Sequence, residues 1–246
     1  MIYELTDPAK AAPVFAGWED AGIIACLDNV MGKIFADDME HPKSVMAVIG
    51  DFAYLAGEPN LELVRSKPDQ WMLVVPQNEA WQELIENNFS AYKQIRYAIR
   101  KDTKFDREKL EAMANALPEG YTFRKIDGEL YDVCLEIEMF EEAVSSFESK
   151  EKYLELGRGF AVMKEDKIVA VASSYSRNKK GIDIEIDTIK EEQQKGLGSA
   201  VAAKLILECL DEGLYPAWDA ASKLSVRLAE KLGYEFSHEY VCYQMN

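Results

Sequence analysis

The stretch that decides the fold runs Ile184-Glu185-Ile186-Asp187-Thr188-Ile189-Lys190-Glu191-Glu192-Gln193-Gln194-Lys195-Gly196-Leu197-Gly198-Ser199-Ala200-Val201. A β-type run ends in a glycine turn, and a helical pattern begins directly after it. Gly196 and Gly198 have no side chains, so the backbone can turn tightly and approach a ligand closely. The first N–H groups of the helix have no partner within it, and they lie at the positive end of its dipole. This arrangement predicts a site for a diphosphate.

The glycine spacing, Gln193-x-x-Gly196-x-Gly198, differs from both common nucleotide motifs. It lacks the Lys-Ser/Thr that ends a P-loop and the third glycine of the dinucleotide fingerprint. An ordinary strand-to-helix turn is the alternative. The spacing resembles the acyl-CoA pyrophosphate loop, Gln/Arg-x-x-Gly-x-Gly/Ala, of the GNAT N-acetyltransferase superfamily. Downstream, residues 214–219 predict the next strand, and residues 222–234, which end in Lys-Leu-Gly-Tyr, resemble the last core helix of that superfamily.

The resemblance extends to one branch of the superfamily, which includes zwittermicin A resistance acetyltransferases. It rests on Thr188, residues 193–198, Pro216-Ala217-Trp218-Asp219, Ser225, residues 228–234, Gly50-Asp51-Phe52 and Leu55-Ala56-Gly57. The similarity covers nearly the whole chain. It implies that the first half is a degenerate acetyltransferase-like subdomain.

Composition limits the classes of partner. Hydrophobic residues make up 48% and charged residues 29% of the 246 residues, as in ordinary soluble proteins. The chain has 44 acidic and 28 basic residues, and its formal charge of −16 would repel the phosphate backbone of a nucleic acid. We therefore expect no nucleic acid partner. The acidic excess serves solubility, or it attracts a cationic acceptor such as an amine.

The sequence contains no apolar run long enough to predict a membrane span, and residues 1–7 do not resemble a signal peptide. We therefore expect a cytoplasmic protein without membrane attachment. Four cysteines, at positions 26, 134, 209 and 242, form no Cys-x-x-Cys pair, so we expect reduced thiols and no metal site.

The order of predicted elements indicates an α/β protein. Residues 121–126 predict a strand, residues 130–156 helices, residues 160–175 a hairpin and residues 182–189 the strand before the glycine turn. A helix, a strand, a second helix and a closing strand follow. This is the order of the GNAT acyl-CoA N-acyltransferase fold, a mixed, splayed sheet with flanking helices. Pro118-Glu119-Gly120 marks the boundary between an N-terminal α/β subdomain, 1–117, and a catalytic acetyl-CoA-binding GNAT domain, 118–246.

The resemblance also assigns residues to acetyl-CoA binding. The pantetheine arm would bond to exposed backbone of the strand before the turn, and the diphosphate would meet N–H groups of the loop. The residues assigned are Asp187, Thr188, Ile189, Gln194, Lys195, Gly196, Leu197, Gly198, Ser199 and Ser222. Lys195 could equally be a solvated side chain. Ser222 also suits the N-cap of the last helix.

Candidate catalytic residues are fewer. Asp183, Glu185 and Asp187 alternate with isoleucines, so their side chains share one face of the strand, which is either solvated or a site. Glu185 is the first candidate for a general base, acting through water. His238 has an ordinary pKa of about 6.5 that suits proton transfer, with an idle exposed histidine as the alternative. The hydroxyl of Ser225 could reach the leaving sulfur.

One departure from the superfamily pattern concerns the general acid. Ala229 stands where many GNAT enzymes have a tyrosine, so Ser225, Tyr234 or water would have to serve, and Gln193 replaces the commoner arginine. The sequence predicts an N-acetyltransferase that moves an acetyl group from acetyl-CoA to a primary amine of a small molecule. A non-catalytic acyl-CoA-binding module and a peptide or protein acetyltransferase are the alternatives, and a homodimer remains an open option.

Overall fold

The structure, a computed structural model, describes residues 1–68 and 71–246. The chain divides into two compact units. Unit 1 comprises Met1–Arg96 and Glu239–Asn246, and unit 2 comprises Tyr97–His238. Residue 118 lies within unit 2. The domain assignment 1–117 and 118–246 stays a prediction about folding domains.

Within the described residues the strands are β1 (Tyr3–Glu4), β2 (Lys33–Ala36), β3 (Ser44–Ile49), β4 (Phe52–Gly57), β5 (Met72–Pro76), β6 (Ala91–Ile99), β7 (Tyr121–Lys125), β8 (Gly159–Lys164), β9 (Lys167–Asn178), β10 (Gly181–Thr188), β11 (Tyr215–Ala217), β12 (Asp219–Ala220) and β13 (Phe236–Met245). The α-helices are α1 (Ala21–Leu27), α2 (Leu61–Arg65), α3 (Glu79–Asn88), α4 (Arg107–Asn115), α5 (Gly128–Glu136), α6 (Glu142–Ser145), α7 (Lys150–Leu156), α8 (Leu197–Asp211) and α9 (Lys223–Leu232). Short 3₁₀ turns lie at Pro8–Ala11 and Lys190–Glu192.

Unit 1 is built on a sheet with the strand order β1-β2-β3-β4-β5-β13. Neighbouring strands are antiparallel, except that β4 and β5 are parallel. Ile49 pairs with Phe52 across the β3–β4 turn, so Gly50-Asp51 closes a hairpin. The Asn78 side chain accepts a hydrogen bond from the Trp81 N–H and so caps α3.

Unit 2 contains a sheet with the order β11-β10-β9-β8-β7. Strands β7 to β10 form an antiparallel meander, and β11 runs parallel to β10. The sheet packs against α8, whose side chains Leu197, Val201, Leu205 and Ile206 are almost fully buried. Helix α4 contacts α8, and its Leu110 is also buried in this core. The helix that follows the glycine turn is therefore anchored along its length.

The strand predicted over residues 214–219 is interrupted. Residues Tyr215–Ala217 pair with β10, whereas Asp219–Ala220 pair antiparallel with β6. Trp218 lies between the two short strands and is 3% exposed. The chain therefore leaves β10 at Trp218, where its pairing partner changes from β10 to β6.

Cys26, Cys134, Cys209 and Cys242 are free thiols and all are buried. Burial raises the pKa of Cys209 to about 12, so this thiol stays protonated at neutral pH. Across residues 1–68 and 71–246, every helix is too short or too polar to span a bilayer.

Candidate active site

An open edge on β10 defines the site. Strand β11 pairs with β10 only over Gly181, Ile182 and Asp183. On the other side of β10, the N–H of Ile189 donates to the Val169 carbonyl of β9. Because backbone groups alternate between the two sides of a strand, those of Asp187 and Ile189 face β9.

The backbone groups of Ile186 and Thr188 therefore point to the side that β11 has left, which we call the open edge. The Ile186 N–H donates to Oε1 of its own neighbour Glu185 at 3.2 Å, in place of a strand partner. Of the three residues predicted from the sequence to present backbone, Thr188 lies on the open edge, whereas Asp187 and Ile189 face the sheet. Ile186 was not predicted.

The glycine loop, Gln193–Gly198, joins the open edge to α8. Gly196 precedes the helix with φ +83°, and Gln194 also has a positive φ of +63°. A side chain is strained in this conformation, which explains why glycine stands at position 196. Gly196 and Lys195 are exposed, while Gly198 and Ser199 are partly exposed. The first-turn N–H groups of α8 thus lie at the protein surface, where a phosphate could reach them.

Gly198 lies against the end of β10. A Cβ atom added there would lie 3.3 Å from Oγ1 of Thr188 and 3.9 Å from Cγ2 of Ile186. The loop therefore meets the open edge directly. A ligand that bonds to Thr188 backbone can continue into the loop only because position 198 carries no side chain, and this spacing fits the acyl-CoA assignment.

A buried carboxylate supports the loop from below. The side chain of Glu192 is 8% exposed and receives three donors: the Tyr121 hydroxyl at 2.5 Å, Lys164 Nζ at 2.8 Å and Lys195 Nζ at 2.7 Å. Hydrogen bonds from the two lysines and the tyrosine lower the pKa of Glu192 to about 2. The predicted phosphate contact Lys195 is therefore held at the base of the loop. Gln193 Nε2 adds a bond to the Thr188 carbonyl at 3.2 Å.

Sequence reasoning missed Glu192, Tyr121 and Lys164. Two adjacent glutamates, Glu191 and Glu192, have the same local context in the sequence, and only the fold buries the second. Tyr121 and Lys164 are 71 and 28 positions away from Glu192. Only the strand order of unit 2 brings these two side chains to the same carboxylate.

Helix α9 begins beside the point where β11 leaves the sheet. The Ser222 hydroxyl accepts a hydrogen bond from the Ser225 N–H at 3.2 Å, so Ser222 is the N-cap, as its sequence context suggested. The indole Nε1–H of Trp218 donates a hydrogen bond to Ser225 Oγ at 3.1 Å. Ser225 thus fixes the side chain at the divergence of the strands. A further role of either serine toward a ligand stays a prediction.

The acidic face of β10 consists of Asp183, Glu185 and Asp187. It is the face opposite α8, because Ile182 and Ile184 point into the α8 core. Residues directly opposite each other on antiparallel strands share a face. Ser176 lies opposite Asp183, and Ser173 lies opposite Glu185.

A β-bulge in β9 makes this possible. Tyr175 is an extra residue between Ser174 and Ser176, at the register shift beside Asp183 and Ile184. Without the bulge, side chains three positions apart would point to opposite faces. Because of it, the hydroxyls of Ser173 and Ser176 both lie on the acidic face.

Helical residues cover the acidic face. Helix α6 contacts β9 and β10, and its neighbour Ser146 donates from its hydroxyl to the carbonyl of Tyr175 in the bulge. Tyr153 of α7 lies 2.9 Å from Ser173, measured between the two hydroxyl oxygens. The acidic face is therefore partly covered by helical residues, while Glu185 and Asp187 keep partial exposure to solvent, and its assignment as a site stays a prediction.

Burial raises the pKa of two carboxyls on the acidic face. Desolvation, with the negative charges of Asp187, Glu142 and Asp183, raises the pKa of Glu185 to about 8. Desolvation and the charge of Glu142 raise the pKa of Asp187 to about 6. A carboxyl with a pKa near neutrality can accept a proton from an amine more effectively than an ordinary glutamate. Glu185 therefore has the environment of a general base.

The remaining candidates are exposed, hydrogen-bonded to other residues, or apolar. His238 is exposed on β13, and its Nδ1 lies 3.0 Å from the Ser237 hydroxyl. The Tyr234 hydroxyl donates to the Pro216 carbonyl at 2.7 Å, and burial raises the pKa of Tyr234 well above its ordinary value. Ala229 is fully buried. Within residues 1–68 and 71–246, His, Cys, Asp and Glu side chains form no group of three or more suited to a metal ion.

Comparison with known proteins identifies the family. The family model described as GNAT acetyltransferase matches residues 12–243. The chain belongs to the GNAT acetyltransferase family. It is therefore an acyltransferase of the GNAT type, and the α/β GNAT fold predicted from the glycine stretch is confirmed. Members of this family generally use acetyl-CoA.

Individual relatives agree with this assignment. A crystal structure of a GCN5-related N-acetyltransferase-like protein from Streptococcus suis 89/1591 is 39% identical, with 98% of each chain covered and a TM-score of 0.93. The uncharacterized N-acetyltransferase YdfB of Bacillus subtilis strain 168 is 25% identical over 245 residues, 90% of this chain and 88% of YdfB. A tandem GNAT protein from the clavulanic acid biosynthesis pathway shares the fold, with a TM-score of 0.60 at 10% identity over 99% and 98% of the chains.

Proposed function

We propose that this GNAT enzyme transfers an acetyl group from acetyl-CoA to a primary amine of a small molecule. The observation that supports it most directly is the contact between Gly198 and Thr188, which joins an unpaired strand edge to a helix N-terminus. An amide-containing arm can bond to a free edge as an added strand, and a diphosphate suits the helix N-terminus. Acetyl-CoA carries both groups in one chain.

The binding set follows from the residues predicted by resemblance. Backbone N–H groups of residues 194–199 would hold the diphosphate, and Thr188 with Ile186 would bond to the pantetheine arm. Asp187 and Ile189 would contribute by holding the open edge in register with β9. Lys195 would add positive charge from its place beside Glu192. Ser222 would contribute as the cap that fixes the start of α9.

Glu185 is the proposed base. In the transfer, the amine nitrogen attacks the thioester carbonyl carbon, a C–N bond forms and the C–S bond breaks. The nitrogen loses a proton and the sulfur gains one. Glu185, in its carboxylate form, accepts the first proton directly or through water. Ser225 is the candidate donor toward sulfur, and His238 is a further candidate for proton exchange with solvent.

Two finer assignments accompany this proposal. The quoted motifs favour the branch that contains zwittermicin A resistance acetyltransferases, and the likeness to a tandem GNAT protein supports a GNAT-like N-terminal half. Membership of an acyltransferase family favours an enzyme over a non-catalytic acyl-CoA-binding module. A peptide acceptor is the alternative substrate, and a homodimer and a cytoplasmic location stay predictions.

Binding and turnover test the proposal separately. Acetyl-CoA at about 100 times its dissociation constant should stabilise the protein by about 2.7 kcal/mol. Gly196→Glu should abolish this shift because it places bulk and negative charge at the loop. Gly120→Glu is the matched control, since Gly120 also has a positive φ, +85°, and open space around it. Absence of any shift in the wild type would contradict the proposal.

Turnover is measured as thiol release from acetyl-CoA against a panel of small amines, amino acids, aminoglycoside-like compounds and peptides. We expect release with small amines. Release with peptides alone would favour the alternative acceptor, and binding of acetyl-CoA without release for any acceptor would favour the non-catalytic module.

A further inference from the structure

We infer that the acidic face of β10 binds an acceptor with a second positive charge, so that the substrate class is a small diamine or polyamine. This inference rests on the proposed function, which it narrows. It is carried by the carboxylates of the acidic face, by a buried hydroxyl beside them and by the charge balance of amine acetylation.

Two of the carboxylates lack a cation. Within the described part of the chain, Glu185 and Asp187 form no ion pair. The charged groups that act on Glu185 are Asp187, Glu142 and Asp183, and the one that acts on Asp187 is Glu142. All of them are carboxylates. Glu185 and Asp187 therefore lie beside other carboxylates at partly buried positions, where their ionised forms are costly unless a bound cation offsets them.

A second observation points to a ligand. Ser176 is fully buried, and its Oγ has no hydrogen-bond partner among residues 1–68 and 71–246. Its position opposite Asp183 directs this hydroxyl into the acidic face. Buried hydroxyls are normally hydrogen-bonded, so an unpartnered one indicates a group that arrives with the ligand. An ammonium group, with three N–H donors, can satisfy a hydroxyl and a carboxylate together.

Charge balance requires more than one amine. The reacting amine must be neutral to attack the thioester, so its positive charge is absent when the C–N bond forms. If Glu185 takes that proton, Asp187 remains ionised and still needs a cation that stays charged through the reaction. A second ammonium group on the acceptor supplies it. Residues two apart on a strand are separated by about 7 Å, a distance that a short diamine can span.

The same arrangement explains how Glu185 becomes a base. The charges that act on Glu185 come from Asp187 and Asp183 on its own strand and from Glu142 on α6, and all three raise its pKa; Ser173 of β9 lies opposite it. In the free protein this environment holds the proton on Glu185 at neutral pH. A bound ammonium group favours the ionised carboxylate, so a diamine prepares its own general base.

The test compares acceptors of equal length that differ only in the second amine. We expect kcat/KM for 1,4-diaminobutane and 1,5-diaminopentane to exceed that for 1-aminobutane and 1-aminopentane by about 10- to 100-fold, the range for one hydrogen-bonded charge. Asp187→Asn and Glu142→Gln should reduce this ratio by about 10-fold or more, and Ser176→Ala should reduce it in the same direction. Asp166→Asn, in the exposed β8–β9 turn, should leave the ratio unchanged.

The outcomes separate the two levels of the argument. Equal turnover of monoamines and diamines would overturn the inference and leave the proposed function in place. A diamine preference that persists in Asp187→Asn and Glu142→Gln would also overturn it, because the charge would then be held elsewhere. Turnover of no amine at all would overturn the proposed function and the inference with it.

Discussion

The ammonium group of Lys195 lies 2.7 Å from Oε2 of Glu192, so the residue before Gly196 is tied to a buried carboxylate. Tyr121 and Lys164 bond to the same carboxylate from β7 and β8. The glycine loop is thus joined to the sheet by one side chain that never needs to touch a ligand. Its conformation before binding is set by this anchor.

Removing the charge of Glu192 should therefore weaken cofactor binding. We expect Glu192→Gln to raise the acetyl-CoA dissociation constant roughly 10-fold, comparable to the loss of one charged hydrogen bond, because the loop and Lys195 lose their anchor. Isothermal titration measures this constant. Glu191→Gln, one position earlier and exposed, is the control. Equal affinities in the two variants would show that the anchor does not shape the loop.

The lowered pKa of Glu192 also predicts how stability depends on acid. The unfolded chain binds this proton at about pH 4.5 and the folded chain at about pH 2. The stabilisation from Glu192 is therefore complete above pH 5 and is lost as the pH falls toward 2. Urea unfolding of the wild type and Glu192→Gln should show a difference at pH 6 that shrinks at pH 3. A difference that is constant over this range would contradict the assignment.

The raised pKa of Glu185 predicts an ionisation in the rate profile. With a pKa of about 8, Glu185 is a base only above that pH, so kcat/KM should rise through pH 8. Glu185→Gln should lower turnover by about 10²–10⁴-fold. The decisive comparison uses two acceptors whose amine pKa values differ. If kcat/KM rises at the same pH for both acceptors, the ionising group belongs to the enzyme. A rise whose pH follows the acceptor's pKa would count against a dedicated base.

The contact between Gly198 and Thr188 can be tested by a double-mutant cycle. Gly198→Ala places a Cβ atom 3.3 Å from Thr188 Oγ1 and should destabilise the protein by about 1 kcal/mol. Thr188→Ala removes that oxygen, so the same change should cost less in its background. Thermal unfolding of the four proteins gives the coupling energy. Additive effects would mean that the two residues are not in contact.

Variants of Ser225 and Trp218 distinguish a structural role of Ser225 from a catalytic one. Ser225→Ala leaves the buried Trp218 Nε1 without its acceptor and should destabilise the protein by about 1–3 kcal/mol. Trp218→Phe removes the same hydrogen bond while leaving the Ser225 hydroxyl in place. If Ser225 protonates the leaving sulfur, its alanine variant should lose far more kcat than Trp218→Phe. Similar losses in both variants would make Ser225 a positioning residue.

The features that the sequence predicted well are local. Ser222 caps α9 as expected, because a cap depends on residues two or three positions away, and Asn78 and Asp106 cap α3 and α4 in the same way. The strand, glycine turn and helix around Gly196 could be predicted for the same reason, because each depends on residues close to it in the sequence.

The features that the sequence could not predict depend on distant residues. The exit of the chain from β10 at Trp218 depends on pairing with β6, more than a hundred positions earlier. The raised pKa of Glu185 depends on burial in the folded protein and on the charge of Glu142 in α6. Alternation in residues 183–187 showed a shared acidic face, but whether helices or water cover that face is decided by packing alone.

The bulge at Tyr175 divides β9 into two segments that pair with β10 in different registers. The two registers differ by one position. Ser173, before the bulge, and Ser176, after it, each place a hydroxyl on the acidic face. A strand β9 of the same length without the bulge would turn Ser176 to the opposite side of the sheet from Ser173, with every carboxylate of β10 unchanged. Which hydroxyls face the carboxylates of β10 therefore depends on the position of one bulge in β9, and not only on the residues that carry charge.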